Sequence, residues 1–315
     1  MTLKNQEKVM ARGVHGEKLI SLKESEKLPL KDIARVDAAI EYYDAWIRKL
    51  NNVDSNKSIN EVVSEMVAIL NEYKLFIDYT LIFSSDEDFL YRQKGQLKLD
   101  NTVIEEFLPL LVKKCLTKQY PQLDVDICSQ RAVFSSMHFT SGLSTNLPGG
   151  GIKIKTKDQD FSMSRPLYLK SSHHSDYHDS EEIQTYIGYL LAELKTNLDK
   201  TMFQEAAATA HDVKLAVTGA KYYLLCDFLD MTPISTATTD IDEILILRKS
   251  KRIPSNIRKS FSSKKGREKY STFYKQFLLD NPYREDVFLR FINHVLSQMT
   301  NEKMKESEVL DSGFF

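Results

Sequence analysis

The spacing of apolar positions changes character part-way along the chain. From Leu30 to Leu50, Ile33, Val36, Ile40, Tyr43, Ile47 and Leu50 recur on one face with Trp46 beside them, which predicts an amphipathic helix. Ser58 with Glu61 has the form of a capping box and opens a second helix through SINEVVSEMVAILNEYKLFI. Thr102 and Glu105 repeat that form before VIEEFLPLLVKKCL, where Pro109 is expected to bend or delay the helix. The pattern then turns to strands. Gly151 to Leu169, GIKIKTKDQDFSMSRPLYL, reads as two strands joined by a charged turn, KDQD, and Ile183 to Lys195, IQTYIGYLLAELK, as a strand buried in a sheet. Thr196 and Asn197 supply helix-start chemistry, and Phe203, Ala206, Ala207, Ala210, Val213 and Val217 keep helical spacing until Gly219 stops the helix. Lys221 to Phe228 and Ile241 to Leu247 read as further strands. A strand–helix–strand connection of this length predicts parallel neighbours with a right-handed crossover. The C-terminal stretch STFYKQFLLDNPYREDVFLRFINHVL reads as helical.

Candidate chemistry lies at the end of the strand through Lys195. Glu193 and Lys195 alternate to the same side of it, roughly 6.5–7 Å apart, while Leu194 points into the core. Such a pair is costly to desolvate unless a ligand or ion offsets that cost. Phosphodiester hydrolysis uses both groups: the carboxylate can hold a divalent metal ion, and the lysine can steady an attacking water or the charge developing on phosphate. An E-x-K alone is a weak signal and needs an upstream acid. Asp160 stands where a strand begins, and Asp158 lies two residues earlier. Mg²⁺ takes one or two protein carboxylates plus waters and phosphate oxygens, so Asp160 with Glu193 suffices. Taken alone, KDQD reads equally well as a plain hairpin turn.

Charge adds a partner. The net charge is only −1, yet Arg248 to Tyr270 holds ten Lys or Arg residues and one acid, Glu268. That block is the footprint expected for a polyanion, with Lys251, Arg252, Arg258, Lys259, Lys264, Lys265 and Arg267 as candidate phosphate contacts. Phe261, Tyr270 and Tyr274 interleave with it; the plain alternative is a solvated linker. The Ser-, Thr- and Gly-rich stretch from Arg131 to Gly151 reads as a linker or as a loop whose small residues approach phosphate. In the loop Ser171 to Glu182, His173, His174 and His178 accompany Asp176 and Asp179, but the polar, non-helical context reads as solvated rather than as a zinc site.

Bulk properties are those of a globular chain: 315 residues, 42% hydrophobic and 28% charged. Cys115, Cys128 and Cys226 lack metal-binding spacing and read as buried thiols in a reducing compartment. No apolar run reaches membrane-span length, and MTLKNQEKVMARG lacks a signal-peptide centre, so cytoplasm is the expectation. Three regions follow: a mainly helical 1–140, read as scaffold with dimer or DNA contacts; a core at 141–250; and a basic segment with C-terminal helices at 251–315.

Together, KDQDF, AELKTNLDKTMFQEAAATA, KYYLLCDFLDMTPIS and TDIDEILILRK resemble the Bpu-type (BbvCI- and DdeI-like) restriction endonuclease family of the PD-(D/E)XK nucleases. The resemblance spans Ile152 to Arg252, with a weaker echo in HGEKL, His15 to Leu19. It implies an α/β core, a mixed sheet flanked by helices, with helical N- and C-terminal additions. It implies Asp160 as the motif aspartate, Glu193 and Lys195 as the E-x-K pair, and Gln204 or Glu205 as a helper on the next helix; Asp158 remains the alternative acid. The 33 residues from Asp160 to Glu193 exceed the family's usual spacing, so the polar loop between them reads as an insertion. The implied activity is Mg²⁺-dependent type II cleavage of double-stranded DNA at a CTNAG-like core, with Asp160, Glu193 and the Leu194 carbonyl as metal ligands. A homodimer or a heterodimer with a related subunit is implied, as is a cognate methyltransferase. The alternatives are a non-catalytic DNA-binding subunit and a sequence-indifferent repair or recombination nuclease.

Overall fold

Helices fill the first third of the chain, where apolar residues recur at helical spacing. The computed structural model describes residues 12–145, 147–299 and 306–313, so most of the stretch read above for a signal peptide lies outside the described residues. It places α1 at Val14–Lys23, α2 at Ile33–Asn52 and α3 at Ile59–Leu75. The capping box at Ser58 is formed in both directions: Ser58 N donates to Glu61 Oε2 at 2.9 Å, and Glu61 N donates to Ser58 Oγ at 3.3 Å. α3 runs on into eight residues of π-helix, Phe76–Phe83, followed by α4 (Phe89–Leu97) and α5 (Thr102–Leu116). The second capping box is not formed. Thr102 Oγ1 donates back to Lys98 O, and Glu105 turns inward to accept from Asn101 Nδ2 at 2.7 Å. Pro109 neither delays nor ends α5.

The strands form two sheets. β1 is Asp126–Cys128, β2 Arg131–Phe139, β3 Ile152–Gln159, β4 Phe161–Ser171 and β5 Glu181–Leu198. After α6 (Lys200–Ala216) come β6 (Lys221–Leu229) and β7 (Glu243–Lys251). The larger sheet runs β1-β4-β5-β6-β7, with β4 antiparallel to β1 and β5; β5 and β6 are parallel as the crossover predicted, and β7 is parallel to β6. β2 and β3 make a separate antiparallel ribbon. Five α-helices close the described chain: α7 (Ser255–Arg258), α8 (Lys264–Lys269), α9 (Ser271–Asp280), α10 (Glu285–Met299) and α11 (Glu306–Ser312).

Three expectations change. The stretch after Arg131 begins as a strand, with Val133 and Ser135 buried on alternate positions. KDQD is not a hairpin turn: β3 pairs with β2 and β4 with β5, so Asp160 is the single residue at a corner between two sheets. Thr196 and Asn197 belong to β5, and α6 is capped instead by Asp199, whose Oδ1 accepts from Met202 N at 2.9 Å.

One face of the larger sheet packs on the helical region. Phe161 and Tyr223 meet Phe291 of α10, while Phe288 of that helix meets Phe107 of α5. This cluster draws on residues from Leu19 to Val295, so all three sequence regions share one core. The other face is covered by α6, whose Phe203, Ala206, Ala210 and Val213 pack on Leu191, Tyr222 and Leu224. Each fully buried large apolar side chain contributes about 1.5–3 kcal/mol. A buried ionic chain ties the parts together: Lys74 Nζ donates to Asp78 at 2.6 and 2.7 Å, Arg248 reaches Asp78 at 3.3 Å, and Tyr283 Oη donates to Asp227 at 2.8 Å.

The β2–β3 ribbon and the distal part of the β4–β5 hairpin form an arm whose tips are clasped. Gly149 N donates to Asp179 O at 3.1 Å. Gly149, Gly150 and Gly151 have φ of 60°, 73° and 63°, and a Cβ on Gly149 would lie 2.8 Å from Ser171 O. Among the described residues, no helix is long and apolar enough to cross a membrane.

Candidate active site

Antiparallel register assembles the site. Phe161 pairs with Ala192, so Asp160, one residue before β4, comes beside Glu193 despite the 32 residues between them. Those residues are the hairpin itself rather than a free polar loop. Asp160 extends the ladder with its side chain: Oδ2 accepts from Leu194 N at 2.8 Å. Strand alternation places Glu193 and Lys195 on one side and buries Leu194 to 2% exposure. Glu193 Oε1 lies 2.6 Å from Lys195 Nζ, and Glu193 Oε2 accepts from Tyr222 Oη at 2.9 Å. The Leu194 carbonyl accepts from Asn101 Nδ2 at 3.2 Å.

The electrostatics carry an excess of negative charge. Burial, then the charges of Glu105 and Glu193, push the Asp160 carboxyl up to about 6 against the opposing Leu194 hydrogen bond. Burial pulls Lys195 down, but its hydrogen bond to Glu193 and the surrounding carboxylates outweigh that and hold it above the usual lysine value. Glu105 is the residue that sequence reasoning missed. It is fully buried on α5 and accepts from Asn101 Nδ2 at 2.7 Å and Gln130 Nε2 at 3.2 Å. Its spacing from Thr102 suggested a cap, and only the three-dimensional approach of α5 to Asp160 reveals it.

These groups face a cavity of about 360 Å³. Asp158, Asp160, Glu193 and Lys195 line it from the strands, Lys94 and Lys98 from the helical side, and Arg252 from beyond β7. Asp158 is exposed at the end of β3 and has no hydrogen bond to either acid. Gln204 and Glu205 are both exposed on α6 and neither lines the cavity, although Glu205 is near enough for its charge to act on Lys195, after the larger effects of burial, Glu193 and Asp160. Among the described residues, no group of three or more His, Cys, Asp or Glu side chains stands ready to hold a metal ion. Two carboxylates and the Leu194 carbonyl nevertheless fit a Mg²⁺ ion that keeps several waters, and the raised Asp160 marks an unmet need for positive charge. In the 171–182 loop, His174 and His178 stack at 3.5 Å, and His178 pairs with Asp176 in an exposed turn.

The basic segment divides. Lys251, Lys259 and Lys265 are exposed, Lys264 pairs with Asp86 at 3.3 Å, and Arg252 reaches Asp230 at 2.8 Å beside the cavity. Arg258 is 3.8 Å from Asp230 and donates to Ile253 O. Arg267 does not join this surface. It is 2% exposed, and its guanidinium donates to the carbonyls of Phe83, Ser85, Glu87 and Phe261 and to Asp88, a buried tie rather than a free cation.

Residues 96–315 match the family model described as Bpu10I restriction endonuclease. The chain belongs to the Bpu10I restriction endonuclease family. The match is wider than the span that the sequence motifs covered, and it takes in α5, both acids and the basic segment. Members of a restriction endonuclease family are nucleases, so the class of chemistry is phosphodiester hydrolysis. The fold is also similar to a solved structure titled "native BbvCI A2B2 tetramer at low resolution", with TM-score 0.50 and 16% identity over 77% of this chain and 85% of that one. A search of curated proteins found no match.

Proposed function

We propose that the chain is a type II restriction endonuclease that uses Mg²⁺ to cut double-stranded DNA at a defined sequence, with a CTNAG-like core. The observation that carries this is the meeting of Asp160, Glu193 and Lys195 at one cavity faced by Lys94, Lys98 and Arg252. Asp160, Glu193 and the Leu194 carbonyl would hold the metal ion, which supplies Lewis-acid polarisation of the phosphate and neutralises charge developing there. Tyr222 fixes Glu193 by its 2.9 Å hydrogen bond, and Glu193 in turn aims the Lys195 ammonium from 2.6 Å. Lys195 then orients the attacking water against the phosphorus and steadies the added negative charge. Arg252, Arg258, Lys251, Lys259, Lys264 and Lys265 supply phosphate contacts, which give affinity and register rather than sequence.

One chain offers one such site and cuts one strand. Cutting both strands is simplest with a second copy or a related subunit, and the tetrameric BbvCI neighbour supports an assembly of that kind. The enzyme would act in the cytoplasm beside a cognate methyltransferase that protects the host's own sites. The test is digestion of a long DNA with Mg²⁺. Discrete bands support the reading, a smear identifies a sequence-indifferent nuclease, and binding without cutting identifies a non-catalytic subunit.

A further inference from the structure

A second cavity, of about 110 Å³, adjoins the one that holds the acids, and Lys94, Asp100, Thr196 and Arg252 line both. Its apolar lining is mostly aromatic: Tyr91, Phe228, Phe261, Tyr274 and Phe277. Its hydrogen-bonding capacity is underused. Neither the Tyr91 nor the Tyr274 hydroxyl has a hydrogen-bond partner among the described residues. Asn197, 4% exposed, commits its carboxamide only to Met202 Sδ at 3.5 Å. Arg252 and Arg258 also line it, and both lean on the single carboxylate of Asp230. Flat π-surfaces, free polar groups and a paired guanidinium rim match a nucleotide: a planar ring with a polar edge, attached to a phosphate. Aromatic stacking of unpaired bases is sequence-tolerant and common in such grooves.

We propose that this cavity receives one nucleobase rotated out of the DNA duplex beside the scissile phosphate, with Arg252 and Arg258 on that nucleotide's phosphate. The proposal rests on the nuclease reading and deepens it. The volume is below the roughly 150 Å³ of an apolar cavity that takes benzene, so it excludes the two rings of a purine, and a single pyrimidine ring enters only by extending into the adjoining cavity with which it shares Lys94, Asp100, Thr196 and Arg252. A base with no partner costs less to extrude, so its removal from pairing should show as tighter binding.

The experiment uses the full chain with Ca²⁺ in place of Mg²⁺ and duplexes carrying the target mapped from its own cleavage products. At each position in turn, the opposing base is replaced by an abasic site, and affinity is measured. The expected result is about tenfold tighter binding at one pyrimidine position and little change elsewhere. Ile253 also lines the cavity, and Ile253→Phe, which narrows it, should remove that gain while leaving binding at the other positions intact; Tyr274→Phe, which keeps the wall and removes only a hydroxyl, should reduce it. A melting curve confirms that each variant is folded. Normal cleavage by the wild-type chain with a flat affinity profile, or a full gain in Ile253→Phe, overturns the proposal alone. Failure of the wild-type chain to cut any DNA overturns the nuclease reading and this proposal with it.

Discussion

Asp160→Asn should stabilise the protein while abolishing its activity. Burial and the neighbouring Glu105 and Glu193 raise the Asp160 carboxyl from an ordinary value of 3.8 to about 6. The folded chain therefore binds this proton more tightly than the unfolded chain does, and ionising the group opposes folding. The penalty is absent below about pH 4, grows as pH rises toward 6, and is complete above it, where it corresponds to about 3 kcal/mol. Asparagine carries no charge to desolvate, and its Oδ1 can still accept the hydrogen bond that Leu194 N gives Asp160. Urea unfolding without divalent metal should place the variant about 3 kcal/mol above wild type at pH 8, with the difference shrinking toward zero at pH 4. Mg²⁺ should narrow the gap at pH 8 by stabilising wild type alone, through linkage to binding. A variant less stable than wild type at pH 8, or a gap unchanged between pH 8 and pH 4, would refute the account of Asp160 as a strained acid awaiting a cation.

Glu193→Ala and Lys195→Ala should each lose cleavage and keep most DNA affinity, because both act on charge that appears during hydrolysis; nicking and gel-shift assays on the same preparation check this. Neutralising Lys259, Lys264 and Lys265 together should weaken binding to all sequences alike and lower the salt slope of log affinity by about 0.9 for each lost contact, measured by titration at several salt concentrations. Arg267→Ala should instead leave that slope unchanged and cost about 3–5 kcal/mol of stability, since it leaves the buried carbonyls of Phe83, Ser85, Glu87 and Phe261, and Asp88, without their donor; denaturant unfolding reads it. On a supercoiled plasmid, the purified chain should give linear product if it pairs with itself, and nicked circles that become linear only on adding a related subunit if it does not.

The parallel strands, their crossover helix and the E-x-K pair were legible because strand alternation and helical spacing write themselves into the order of side chains. Glu193 and Lys195 share a side by that alternation alone. Asp160 was legible as an acid near a strand start, but its corner was not: a run of charges between two strands reads as a hairpin until the partners of β3 and β4 are known. Glu105 was hidden because its spacing from Thr102 imitates a cap, while its actual partners, Asn101 and Gln130, come from an adjoining turn and from beyond β1. Arg267 misled in the opposite direction. A cation in a basic run suggests exposure, yet carbonyls some 180 residues earlier in the chain enclose it.

The clasped arm bears on how such a protein changes over generations. β4 and β5 are paired from Phe161 with Ala192 out to Ser171 with Glu181, with one bulge at Tyr189, where Met163 faces Leu190 and Ser164 faces Gly188. A hairpin can grow or shrink at its tip, by matched residues on each strand, without disturbing the pairs at its root. Asp160 and Glu193 stand at that root, so the tip can be rebuilt by descent while the two acids stay side by side. Distance along the chain between the two acids is therefore a poor guide to kinship, and the register of the strands that carry them is a good one.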